Sequence, residues 1–188
     1  MLDLEMAYPP GDHFAYSSGG VIALGGVIAN SSNKSIPEFS EEYLFGPLRI
    51  TTYEWQQFPA GGHDTGGHIF MLPRDMAKLG QLMLNQGNWN GTQLIDTTWV
   101  QESITTTYTR ETNPTWAHGY GYLWWLNRIT INGQNITSYT ASGNGGQIFC
   151  VYPDLNMIVV STGGNYHPRD GSHPFRMMEQ YILPAIVK

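Results

Sequence analysis

"GQIFCVYPDLNMIVVSTGG", residues 146–164, decides how this chain is read. Two runs rich in β-branched and aromatic residues flank Pro153-Asp154-Leu155-Asn156, and that punctuation is a turn between antiparallel strands. The same grammar extends upstream. "HGYGYLWWLN" (118–127) and "RITINGQNITSYTASG" (128–143) are strand-like, and Asn132-Gly133 is a hairpin signal. Cys150 sits within an apolar strand-like run and is expected to be a buried, inert thiol. As the single cysteine it cannot form an internal disulfide.

Helical signals surround this sheet. "SSGGVIALGGVIANSS" (17–32) starts at a serine cap, Ser17 or Ser18, and ends in turn chemistry. "IPEFSEEYLFGPL" (36–48) has Pro37 in its first turn and Gly46-Pro47 as a stop. In "PRDMAKLGQLMLNQG" (73–87), Met76, Leu79, Leu82 and Met83 form an apolar stripe; Asp75 is the expected N-cap and Gly87 the stop. "DTTWVQESI" (96–104) and "HPFRMMEQYILPAIV" (173–187) complete the set. Helices, then an antiparallel meander, then a closing helix predict an α+β fold, an antiparallel sheet flanked by helices. No repeat or linker divides residues 1–188, which read as a single partial domain.

Composition removes several function classes. A chain with 41% hydrophobic and 13% charged residues is not disordered. A net charge of −6 with only Lys34, Lys78 and Lys188 as lysines leaves no basic patch for nucleic acid or an anionic membrane surface. No apolar run reaches the ~20 residues of a membrane span.

Four motifs could carry chemistry. Ser31-Ser32-Asn33-Lys34 matches S-x-x-K, a spacing that lets a lysine amine take a serine proton across one helical turn. Here it falls in a polar helix end, where nothing would depress the lysine pKa, and it reads as a chance match. Tyr16 stands two residues before Ser18. A phenol, with an ordinary pKa of ~10, acts as a base at neutral pH only where a cation favours the phenolate, so the partner must come from elsewhere. "TASGNGGQ" (140–147) places glycines just before a strand, where backbone N–H groups could approach a ligand carbonyl as an oxyanion hole requires. His63 and His68, near Asp64 in the loop "FPAGGHDTGGHIF" (58–70), have no third ligand at a typical metal spacing; lining a cleft suits them better than holding a metal.

In order, these pieces resemble the later part of the serine β-lactamase/penicillin-binding-protein-like hydrolases, in the branch of class C β-lactamases, family VIII esterases and 6-aminohexanoate-dimer hydrolases. "PGDHFAYSSGGVIALGGVIANSS", "EEYLFGPLRI", "PAGGHDTGGHIFMLPRDMAKLGQLMLNQGNWNG", "GYGYLWW" and "SGNGGQIFCVYPDLNMIVVSTGG" carry the likeness. The resemblance implies a β-lactamase/transpeptidase-like fold, here incomplete, with the site between sheet and helices. It assigns Tyr16 as general base and acid, with Ser18 where related enzymes carry asparagine. Ser142, Gly143, Asn144 and Gly145 fall at the substrate- and oxyanion-binding strand end, without the lysine of Lys-Thr-Gly. That loss favours an esterase or amidase over a dedicated β-lactamase.

The resemblance also places the nucleophilic S-x-x-K upstream of the tyrosine, and residues 1–15 contain none. The expected substrate is a small ester or amide, with no cofactor and no metal. A catalytically inactive module binding peptide or glycan through Trp116, Tyr120, Tyr122, Trp124 and Trp125 is the alternative. Exposed apolar surface on the first helix would favour self-association. Low lysine content with abundant Asn and Thr leans toward a periplasmic or secreted setting.

Overall fold

Asn132 (φ 50°) and Gly133 (φ 80°) both take left-handed conformations, as a two-residue hairpin turn matched to strand twist requires. The turn sets Ile131 opposite Gln134 and so fixes the register of the two longest strands. The structure is a computed structural model that describes residues 5–105, 108–109, 117–166 and 173–188. Helix α1 (Ser18–Ser32) is followed by α2 (Ile36–Ser40), which widens into a π turn at Glu41–Phe45. A small ribbon, β1 (Tyr53–Trp55) with β2 (Ile69–Met71), leads into α3 (Pro73–Leu84). A second ribbon, β3 (Asn88–Trp89) with β4 (Thr92–Gln93), precedes α4 (Thr97–Thr105).

The main sheet then runs β5 (Tyr108–Thr109), β6 (Gly119–Tyr120), β7 (Trp125–Ile131), β8 (Gln134–Gly143), β9 (Gln147–Tyr152) and β10 (Met157–Ser161), in the order β10-β9-β8-β7-β6-β5. Each neighbouring pair of these described strands is antiparallel. The chain closes through α5 (His173–Met177), a π turn at Met178–Ile182 and α6 (Leu183–Ile186). The α+β expectation therefore holds.

Strand alternation gives each sheet face its own core. On one face Ile131, Ile136, Ile148, Cys150 and Tyr152 pack under Met178, Leu183 and Val187 of the closing helices. On the other, Leu126, Tyr139 and Val151 meet Met83 and Val100 from α3 and α4. Helix α3 comes close because Gly80 has no side chain; a Cβ there would lie 3.0 Å from Ile158 Cγ2. The opposite side of α3 buries Leu82 with Phe45, Leu48 and Ile50.

Local chemistry sets the ends. Ser17, not Ser18, caps α1, its hydroxyl accepting from the Gly20 N–H at 3.2 Å. Asp75 does not cap α3 as expected. The helix begins one turn earlier with Pro73 in its first turn, and Asp75 is buried and ion-paired to Lys78 at 2.7 Å. Ser35 and Glu38 form a capping box on α2 that the spacing Ser35-Ile36-Pro37-Glu38 encodes. Both π turns precede a proline by a few residues, Pro47 and Pro184, where the missing N–H disturbs the i→i−4 ladder.

Helix α1, the longest described helix at 15 residues, buries only Gly25, while Leu24 and Val27 are 51% and 61% exposed. No described helix is long and apolar enough to cross a membrane.

Leu82 is 1% exposed between two layers. Leu82→Ala is expected to lower unfolding free energy by about 2–5 kcal/mol, read from the urea midpoint at unchanged slope.

Candidate active site

The register of the sheet brings the site's floor together. Trp125 pairs with Thr140, which pairs with Cys150; Ser142 pairs with Ile148, which pairs with Ser161. These residues share the face covered by the closing helices, at the end where β8 turns into β9. Along this face, Asn127 Nδ2 donates to Thr140 Oγ1 at 3.0 Å, and that hydroxyl donates to Cys150 Sγ at 2.9 Å. Thr140 is fully buried, and burial pushes the Cys150 thiol above its ordinary pKa.

Gly143 lies opposite Gln147, so Asn144-Gly145-Gly146 is a three-residue connection. Gly145 (φ +88°) and Gly146 (φ +93°) take conformations that side chains disfavour. The Gly145 carbonyl accepts the Asn165 N–H at 3.2 Å, which ties this turn to the segment after β10.

Tyr16 comes to the same place from the other end of the chain. Its ring stacks on Trp125 at 5.6 Å between centroids with a 20° interplanar angle, and meets the Tyr120 ring at 5.9 Å and 80°. Tyr120 and Trp125 are themselves in edge contact at 4.6 Å. The pair is a rigid aromatic seat that leaves Tyr16 53% exposed rather than sunk in hydrocarbon.

A cavity of about 620 Å³ opens here. Tyr16 and Trp125 form one wall, residues 142–146 a second and residues 161–163 with Asn165 a third; His173, Pro174 and Met177 of α5 complete it. Tyr16, Ser142, Gly143, Asn144 and Gly145 are thus brought together. Ser18 is not among the residues lining the cavity; it is the exposed first residue of α1.

The other candidates go elsewhere. Ser31 and Ser32 bond back to the Ile28 carbonyl at 3.2 and 2.7 Å. Lys34 pairs with Glu42 at 2.8 Å, and this hydrogen-bonded carboxylate pushes the ammonium pKa upward, the reverse of what a general base needs. A second hollow, about 690 Å³, is rimmed by Lys34, Glu38, Glu41 and Glu42, and neither Ser31 nor Ser32 lines it.

His68 contacts Asp64 at 2.8 Å and His63 contacts Gln57 at 3.1 Å, so the two histidines serve different partners. Their loop docks on α1, where Thr65 donates to the Val21 carbonyl at 3.0 Å, and it does not line the cavity. Strand alternation divides the aromatic run: Trp124 packs between Tyr139 and Phe149 on the far face, and Tyr122 lies against Trp99. Trp116 lies outside the described residues. His173 and Asn165 were invisible as site residues, because only tertiary contact brings them to the cavity.

A six-stranded antiparallel sheet between helical layers, with a tyrosine-walled cleft at one strand end, is the β-lactamase/transpeptidase class of fold. The sequence model of the family described as Beta-lactamase matches residues 1–179, and the chain belongs to that family. Among solved structures, it is similar to a protein assigned as a 6-aminohexanoate-dimer hydrolase from Bacillus anthracis, with 21% identity and a TM-score of 0.78 over 96% of this chain and 46% of that one. The octameric penicillin-binding protein homologue of Pyrococcus abyssi follows at 16% identity and a TM-score of 0.69, covering 94% and 43%. A D-amino acid amidase from Ochrobactrum anthropi gives 14% and 0.63, covering 94% and 59%. The chain therefore spans less than half the length of the first two. Comparison with curated protein sequences finds no significant match.

In the folded protein Cys150 is expected to resist a thiol reagent such as dithionitrobenzoate at pH 8, because burial keeps it protonated and shielded. One equivalent should react on unfolding, and rapid labelling of the native protein would contradict the buried row.

Proposed function

We propose that this chain forms the tyrosine-and-sheet side of a serine hydrolase that cleaves an ester or amide through an acyl-enzyme. The observation that carries the reading is the convergence of Tyr16 and the glycine turn 143–146 on one cavity, although well over a hundred residues separate them. In the proposed cycle a serine hydroxyl adds to the substrate carbonyl and its proton passes to the Tyr16 oxygen. The tetrahedral oxyanion is met by a backbone N–H near Gly143-Asn144-Gly145. The C–O or C–N bond then breaks as Tyr16 returns the proton to the departing alcohol or amine. Water, deprotonated by the same group, adds to the acyl-enzyme and releases the acid.

The serine and its lysine are assigned to an S-x-x-K segment other than Ser31–Lys34. That is the one S-x-x-K in these 188 residues, and its hydroxyl and amine are already committed to Ile28 and Glu42. Small ester and amide substrates suit a cavity walled by aromatic, glycine and neutral polar groups.

The test uses the protein expressed from its complete reading frame, with p-nitrophenyl butyrate as substrate. Tyr16→Phe is expected to lower kcat by about 10²–10⁴-fold, the contribution of a positioned acid–base group. Ser31→Ala is expected to change it less than about twofold, as a surface hydroxyl outside the machinery should. A fluorophosphonate should label a serine other than Ser31. Saturable ligand binding without turnover or labelling would favour the binding-module alternative.

A further inference from the structure

Two cavity walls, residues 142–146 and residues 161–163 with Asn165, are rich in glycine (Gly143, Gly145, Gly146 and Gly163), and a side chain absent from the cavity lining joins them. Gln147 opens β9, and its carboxamide faces Gly163 with both ends. Oε1 accepts the Gly163 N–H at 3.2 Å, and Nε2 donates to the Gly163 carbonyl. Beside this pair the Gly145 carbonyl accepts the Asn165 N–H at 3.2 Å, and the two residues form an antiparallel bridge.

Missing side chains make the approach possible. A Cβ on Gly163 would lie 2.7 Å from the Gly145 carbonyl oxygen, and one on Gly145 would lie 2.7 Å from a Tyr166 ring carbon. Two consecutive glycines at positive φ have wide backbone freedom, so the turn's own sequence does not hold one shape. The restraint must come from outside it.

We propose that Gln147 is a positioning residue, whose two-ended bond to Gly163 holds the Asn144–Gly146 turn, and with it the backbone N–H groups assigned above to the oxyanion, in a single arrangement. The inference rests on the hydrolase reading above, in which that turn meets the oxyanion. A donor stabilises a developing charge only if it is aimed before the charge forms. Removing such a donor outright costs about 10²–10³-fold in kcat, so one left in place but loosened should cost about 10–100-fold. Substrate held by the remaining walls should keep its KM.

The experiment compares Gln147→Met, Gly163→Ala and Tyr16→Phe in the protein expressed from its complete reading frame, again with p-nitrophenyl butyrate. Gln147→Met keeps side-chain length but bonds to neither end of Gly163. Gly163→Ala leaves Gln147 intact but forces the walls apart. Each of these two should lower kcat about 10–100-fold with KM within about threefold, a split that marks loss of an interaction used only in the transition state. Combined, they should do no more than about threefold worse than the stronger single change, because both break one junction. Each variant's thermal midpoint shows that it is folded, and either change suffices if the other fails to fold.

Wild-type kcat in a folded Gln147→Met, or a loss carried by KM alone, overturns the proposal. Full activity in Tyr16→Phe overturns the hydrolase reading itself. An inactive Tyr16→Phe beside an unimpaired Gln147→Met overturns only the role of Gln147.

Discussion

The register of β7 through β10 is the constraint on which the molecule depends. Side chains alternate with a period of two, so a one-residue slip between β7 and β8 would turn every β8 side chain to the opposite layer. In the observed pairing Trp125, Thr140 and Cys150 form one cross-strand row, and Ser142, Ile148 and Ser161 form the next. The closing helices cover most of that face but leave its end open, and Tyr16 reaches Trp125 there. The cavity is therefore what remains of a sheet face after the helices have been laid across it. Its location follows from two turns, Asn132-Gly133 and Asn144-Gly145-Gly146, that count residues correctly.

The contrast between Tyr16 and the Ser31–Lys34 motif shows why a spacing is not a site. Ser31 and Lys34 have the right separation, but the helix end offers the hydroxyl a carbonyl and the ammonium a carboxylate. Both groups are satisfied, and neither lines the cavity. Tyr16 has no helical neighbour to occupy it. Its flat face is held by Trp125 and Tyr120 while about half of the residue stays in solvent, which orients a hydroxyl without shielding it.

Much of this was legible in the chain. The hairpin signals, the stripe in α3, the serine cap of α1 and the strand-rich second half all act between near neighbours, where propensity and pattern speak directly. The capping box at Ser35 and Glu38 is equally local, written in a Ser-x-x-Glu spacing. Asp75 is ambiguous in sequence because a carboxylate near a helix start can cap or can pair, and Lys78 one turn on decides for pairing. Tyr16 and the turn at 142–145 came from resemblance over the whole order of segments, since no local rule links positions so far apart. Gln147, Asn165 and His173 lay beyond reach for the same reason: a glutamine that clamps a distant glycine has the same sequence signature as one that does nothing.

Gly80 carries a consequence of another kind. Helix α3 lies so close to the sheet that even one methyl at this position would press on Ile158. Positions 80 and 158 therefore share a single allotment of volume across the helix–sheet boundary, and drift at one is permitted only when the other shrinks. In aligned relatives the pair should vary together, as a record of how tightly the two layers are joined.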